Sequence, residues 1–250
     1  MLSPATVVLH PGKDRSLRRH HPWVFGGAIA SLHGSAHVGD TVRVVAADGS
    51  FLAWGLYSPD SQIAVRAWSF REDELIDEAL IATRVTSAAA AREPLLARTN
   101  AARVVFAESD RMPGVIVDRY GSVVVIELTT AGADRWRESI ADACLALDGV
   151  DTVYERSDVD VRQREGLELR AGLVRGAEPP ERIVVHEDGA QYFVDVRAGH
   201  KTGFYLDQRE ARAAVRSLAS GRRVLNVFAY TGAFSVAAWQ GGASRVTTVD

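Results

Sequence analysis

Short apolar runs dominate the first part of the chain, from Thr6 to about Phe70. TVRVVA and FLAWGL flank Asp48-Gly49, a strong hairpin signal, and QIAVRAWSF predicts another strand. From Glu72 the pattern alternates between helix and strand. DELIDEALIATRVTSAAAARE sets Ile76, Ala79, Leu80 and Thr83 at helical spacing, which predicts one buried face. ARVVFAE, PGVIVDRYG and SVVVIEL read as short strands, with Tyr120-Gly121 turning between the last two. ADRWRESIADACLAL predicts a second amphipathic helix and TVYERS a further strand, so helices packed on one sheet are expected. Glu108, Asp110 and Asp118 flank a Pro-Gly turn and are expected to cap or solvate it.

The run from Gly176 to Pro180 is the best boundary after that, because proline cannot extend a sheet interior. RIVVHEDGAQYFVDV then predicts a hairpin with Asp188-Gly189 in its turn. The last stretch carries GHKTGFYLDQR, VLNVFAYTGAFS and RVTTVD. It predicts a strand (Val224 to Phe228), a small-residue turn (Ala229 to Ala233), a helix from Phe234 to about Gln240 and a second strand ending on Asp250. The expected fold class is mixed α/β and α+β in three units. These are a β-rich barrel over 1–71, a central α+β unit over 72–180, and the start of a Rossmann-like unit over 181–250.

Composition narrows the picture little. The chain is 47% hydrophobic and 24% charged, with a net charge of −3, as for an ordinary globular protein. No apolar run reaches the length of a membrane span, and the N-terminus lacks the basic-then-apolar pattern of a secretory signal. A single cysteine, Cys144, excludes an internal disulfide and a cysteine-rich metal site, and no metal is expected. Its setting, ADACLAL, predicts a core position.

Candidate chemistry lies near the end. A strand, a glycine turn and an acid at the tip of the next strand describe a nucleoside-cofactor pocket. Only Gly232 lies in the turn, so the three-glycine dinucleotide fingerprint is missing and a nicotinamide dehydrogenase is disfavoured. Asn226, Phe228, Gly232 and Phe234 would line a pocket for a ligand without phosphate, such as S-adenosylmethionine. Asp250, eighteen positions after Gly232, would accept hydrogen bonds from the ribose. Near the other end, KDRSLRRHH places Lys13, Arg15, Arg18 and Arg19 just before Trp23. Cations beside an exposed aromatic can neutralise phosphates and stack a base. A solvated surface turn is the plainer alternative.

KTGFYLDQR followed by NVFAYTGAFS resembles the class I S-adenosylmethionine-dependent methyltransferases of large-subunit ribosomal RNA, above all the bacterial 5-methylcytosine enzymes with an N-terminal PUA domain. HPWVFGGAI with GDTVRVVAADGSFLAWGLYS resembles the PUA module, and ESDRMPGVIVDRYG the family's central domain, with Arg111-Met112 a small departure. The resemblance therefore covers nearly the whole chain. It implies Tyr205, Gln208 and Arg209 near the cofactor, ribosomal RNA as partner, a central spacer that positions RNA, a cytoplasmic setting and a homodimer. Arg209 opens a helix, and pairing with nearby acids is its plainer role.

Cytosine C5 is a weak nucleophile, and such enzymes attack C6 with a cysteine thiolate to activate it. The resemblance puts that cysteine in a later motif, so the catalytic residues are expected beyond Asp250. The sheet is expected to be cut short after its second strand, leaving an apolar edge open, and residues 1–250 alone are expected to be inactive. A non-catalytic RNA-binding protein built on the PUA-like and central modules is the alternative.

Overall fold

The computed structural model describes residues 4–250; Met1, Leu2 and Ser3, where the first expected unit begins, lie outside the described residues. Six strands form the N-terminal sheet: β1 (Thr6–Leu9), β2 (Trp23–Phe25), β3 (Ile29–His33), β4 (Thr41–Val45), β5 (Phe51–Tyr57) and β6 (Ile63–Ser69), in the order β2-β6-β5-β4-β1-β3. Asp48-Gly49 turns between β4 and β5 as its sequence predicts. The Asp48 carboxylate accepts from the Ser50 N–H at 2.9 Å, and Gly49 takes φ +85°. The basic insert carries a one-turn helix, α1 (Arg15–Arg18), pinned by the buried Leu17.

The central unit packs α2 (Glu78–Arg92) and α4 (Arg137–Leu145) on one face of a five-stranded sheet, with the short α3 (Ala131–Arg135) leading into α4. The strands are β7 (Ala101–Phe106), β8 (Val115–Tyr120), β9 (Val123–Leu128), β10 (Thr152–Ser157) and β11 (Arg170–Gly176), in the order β11-β10-β9-β8-β7. One expectation needs correcting here. Helix α2 begins only after Asp77, whose side chain caps the Leu80 N–H at 2.8 Å. Its buried stripe is therefore Ile81, Arg84, Val85 and Ala88, whereas Ala79 and Thr83 face solvent. The acids near the Pro-Gly turn also differ from expectation. Asp118 is fully buried, and Asp110 pairs with Arg92 at 2.6 Å.

The hairpin β12 (Ile183–Glu187) and β13 (Ala190–Val194) lies on the other face of the central sheet. There Val185, Tyr192, Val194 and Phe204 form a core with Ala101, Tyr120, Val123 and Val125. Helix α5 (Arg209–Leu218) is anchored by buried arginines. Arg212 donates two hydrogen bonds to the Glu187 carboxylate (2.6 and 2.8 Å), and Arg209 reaches Glu187 at 3.2 Å. The last unit is a parallel pair, β14 (Arg223–Val227) and β15 (Arg245–Val249), joined by α6 (Ala233–Gln240). On this unit Leu225 of β14 is 64% exposed and Trp239 of α6 72%.

Candidate cofactor and RNA-binding sites

The turn between β14 and α6 is strained. Phe228 (φ +59°), Tyr230 (φ +50°) and Gly232 (φ +74°) all occupy the left-handed region within five residues. Glycine adopts that conformation freely, but bulky aromatic residues do so at a cost of about 1–3 kcal/mol each. The bend is held at its tip. The Asp250 carboxylate accepts from the Tyr230 backbone N–H at 2.7 Å, and the Val249 carbonyl accepts from the Ala229 N–H at 3.2 Å. Asp250 therefore faces the glycine bend, and its second oxygen makes no hydrogen bond among the described residues. Below the bend, the Asn226 amide donates to Ser235 Oγ at 2.9 Å, and Ser235 Oγ meets Thr248 Oγ1 at 2.7 Å, tying both strands to the helix start.

The GHKTGFY segment closes over one side of this turn. The His200 N–H donates to Tyr230 Oη at 2.9 Å, and the two rings stack at 4.3 Å and 9°. Tyr205 Oη meets His200 Nδ1 at 3.2 Å, and the Tyr205 ring sits edge-on to Tyr230 at 5.7 Å. Lys201 lies 4.6 Å over the Tyr205 ring and pairs with Asp207 at 2.9 Å. Gly199 is needed here, since a Cβ would come within 2.4 Å of the Asp195 carbonyl.

The central domain fixes this segment from behind. The Phe204 N–H donates to Tyr120 Oη (3.2 Å), and Tyr120 Oη meets Thr202 Oγ1 (2.8 Å). Thr202 donates to the Asp118 carboxylate (2.5 Å), which Arg103 grips twice at 2.8 Å. Asp118, Tyr120 and Thr202 are all fully buried, which strengthens the chain of bonds. Burial first, then the Asp118 charge, pushes the neighbouring Glu127 carboxyl up to about 7.

Of the residues expected to hold the cofactor, Tyr205, Asn226, Phe228, Gly232, Phe234 and Asp250 gather on or beside this turn. Phe228 is 90% exposed. Gln208 makes no side-chain hydrogen bond at the start of α5. Arg209 points elsewhere. It is buried against Glu187 and the Ala101 carbonyl (2.7 Å), because an unpaired guanidinium cannot be buried cheaply. The sequence reading missed His200 and Tyr230. Both stand inside the segments it singled out, and the signal for them was an aromatic or imidazole ring beside each glycine.

On the N-terminal sheet, Arg15, Arg19 and Lys13 are exposed. Arg18 is tied to Asp14 (2.5 Å) and Ser50 (3.1 Å). Trp23 is 36% exposed, and its indole donates to Glu108 of the central unit at 2.8 Å.

The glycine bend with its facing acid agrees with comparisons to known proteins. Residues 162–250 match the S-adenosylmethionine-dependent methyltransferase family. Residues 7–70 match the PUA-like domain family. The chain is 49% identical over 248 residues to ribosomal RNA large subunit methyltransferase I of Alteromonas mediterranea, and 45% identical over 246 residues to the protein of that name from Yersinia pseudotuberculosis. Each alignment takes in 98% of this chain and 62% of the relative, so the chain spans about three fifths of the length of these curated relatives. A solved Streptococcus mutans protein, described as a candidate SAM-dependent methyltransferase, superposes with a TM-score of 0.80 at 25% identity, covering 98% of this chain and 63% of that one. SMU.776, solved with SAH, shares the fold at a TM-score of 0.83 and 24% identity, covering 98% of this chain and 62% of its own. The fold is thus mixed α/β, with a β-rich PUA-like unit at its N-terminus and a methyltransferase-like segment at its C-terminus.

Proposed function

We propose that this chain serves S-adenosylmethionine-dependent methylation of a base in large-subunit ribosomal RNA, with cytosine C5 as the target. The observation that carries the reading is the hydrogen bond from Tyr230 to Asp250 across a turn of left-handed residues. The donor set suits an adenosyl sulfonium. Asp250 keeps one carboxylate oxygen for ribose hydroxyls, and Phe228, Tyr205, Tyr230 and His200 offer aromatic faces to an adenine and to a positive sulfur. No phosphate cradle is needed, which fits a turn with one glycine.

When bound, S-adenosylmethionine supplies a methyl group on a good leaving group, so the protein's task is alignment. Asp250 would hold the ribose through its free carboxylate oxygen. The His200–Tyr230 stack, braced by Tyr120 and Asp118, would form one wall beside the bend. Cytosine C5 chemistry also needs a thiolate. The single cysteine, Cys144, is buried in the α2–α4 core, with burial pushing its thiol up to about 12. We therefore propose that residues 1–250 alone bind without turnover. The division into units at 1–71, 72–180 and 181–250, the homodimer and the cytoplasmic setting belong to the same reading. Its support is the 49% and 45% identity to proteins named as ribosomal RNA methyltransferases.

Isothermal titration with S-adenosylmethionine tests the proposal. Saturable binding that Asp250→Ala weakens by about tenfold or more supports it. RNA binding without any cofactor binding would favour the non-catalytic alternative.

A further inference from the structure

We propose that single-stranded RNA runs along the seam between the N-terminal sheet and the central domain, rather than across the basic face of α1. This specifies the RNA-binding reading above and rests on it.

Three cavities follow one another along this path, the first and third on the seam itself. The first, about 490 Å³, lies between His20, Phe70 and Arg71 on one side and Glu108 and Arg111 on the other. The second, about 340 Å³, lies on the N-terminal unit between the two stretches of seam, walled by Lys13, by Ser16 and Leu17 of α1, and by Trp23 and Phe25. The third, about 570 Å³, runs from Phe25 to Arg66, Val161 and Arg164. Phe25 is shared by the second and third, and the Trp23–Glu108 hydrogen bond joins the first to the second. Each cavity is of a size that takes a small organic ligand such as one nucleotide.

Aromatic rings line this path in series. His20 stacks on Phe70 at 4.7 Å, His21 meets Trp23 edge-on at 5.4 Å, and Trp23 meets Phe25 edge-on at 6.5 Å. Phe25 is 51% exposed although it costs free energy to leave such a ring in water. Charge along the path is unbalanced toward cations. Glu74 is held by Arg84 (3.0 Å) and Glu165 by Arg66 (2.9 Å), and Glu108 accepts from the Trp23 indole, so Asp60 in the third cavity is the acid of the path left without a partner among the described residues. Lys13, Arg111 and Arg164 are exposed and form no ion pair among the described residues. The backbone is also strained at the first cavity, where His20 (φ +59°) and Arg111 (φ +60°) are both left-handed. On α1, Arg18 is held by Asp14, and Arg15 and Arg19, though exposed, lie outside the three cavities.

Alternating ring faces and unpaired cations suit unstacked bases and a following phosphate backbone. A duplex hides its base faces and would use only the cations. The partner is therefore a single strand, whose bases stack on Trp23, Phe25 and His20 while its phosphates meet Lys13, Arg111 and Arg164.

Fluorescence anisotropy of the 250-residue chain tests this, using a labelled RNA of about ten nucleotides, single-stranded or annealed to its complement. Trp23→Ala, Phe25→Ala and Arg111→Ala are each expected to weaken single-strand binding at least about fivefold, Trp23→Phe to restore most of it, and the duplex to bind about tenfold more weakly. All three altered side chains are exposed, and circular dichroism checks that the variants fold. Unchanged affinity in the three alanine variants overturns the seam, as does equal affinity for the duplex. Loss only in Arg15→Ala and Arg19→Ala would move the strand to α1 and also overturns it. Failure of the wild-type chain to bind RNA in either form overturns the RNA reading itself, a result distinct from the others.

Discussion

The Asp250 carboxylate and the Tyr230 backbone N–H lie 2.7 Å apart, so the acid at the tip of β15 sets the shape of the bend that follows β14. One oxygen braces the protein and the other remains for a ligand. Replacing Asp250 with alanine removes both. Charge-assisted hydrogen bonds contribute about 1.5–3 kcal/mol. Asp250→Ala is therefore expected to weaken S-adenosylmethionine or S-adenosylhomocysteine binding by roughly ten- to a hundredfold in isothermal titration. Asp250→Asn, which can still accept from Tyr230, is expected to lose less. Equal affinities in all three proteins would remove Asp250 from the site.

Tyr120 links two units through a single hydroxyl. Tyr120→Phe leaves the buried Phe204 N–H without its partner and Thr202 with only Asp118. An unsatisfied buried group costs about 1–3 kcal/mol, so urea unfolding should show a loss of that size. Hydrogen exchange should also speed up at the Phe204 amide more than at amides of β4 and β5. A uniform change across the chain would mean that the hydroxyl does not pin the GHKTGFY segment.

Glu127 gives stability a pH dependence of unusual sign for an acid. Its folded carboxyl titrates near 7 against an ordinary value of 4.5. The folded state therefore holds a proton that the unfolded state has lost between those values, and unfolding free energy falls as pH rises through that window. The stabilisation is complete below about pH 4.5 and gone above about 7, with an upper bound of ~3 kcal/mol. Glu127→Gln removes the titration. It is expected to gain stability relative to wild type at pH 8 compared with pH 5, measured by urea unfolding at both. The same difference at both values would contradict the assignment.

Cys144 is expected to resist thiol reagents in the folded chain and to react at once in denaturant, because burial holds its thiol up near 12. Cys144→Ala should cost about 1 kcal/mol or slightly more in stability and leave cofactor affinity unchanged. A drop in cofactor affinity without loss of stability would bring this cysteine back into the chemistry.

Local signals in the sequence account for much of this architecture. Asp48-Gly49 and Asp188-Gly189 mark their hairpins because each needs a left-handed residue at a fixed place. The β14–α6–β15 unit follows from its apolar runs and Gly232. DELIDE is helical in composition, but the Asp77 cap decides where α2 begins and shifts the buried stripe to Ile81 and Val85. At the site, the residues from Asn226 to Phe234 and Asp250 were legible because they sit on one turn. The Asp118–Thr202 contact was not, since it joins positions 84 residues apart through a buried ion pair that no local pattern encodes. Arg209 shows the opposite failure. A charge at a helix start looks available, but burial commits it to Glu187.

Lys201 rests on the Tyr205 ring and against Asp207, beside the bend proposed to hold the adenosyl group. Cationic side chains in this protein are otherwise nearly all arginine, and Lys13 is its only companion lysine. Amine-selective acylation would thus modify very few positions, one of them a built-in reporter beside the ligand wall. Protection of Lys201 against Lys13, followed by peptide mass spectrometry, would read occupancy directly without a tag or an engineered dye.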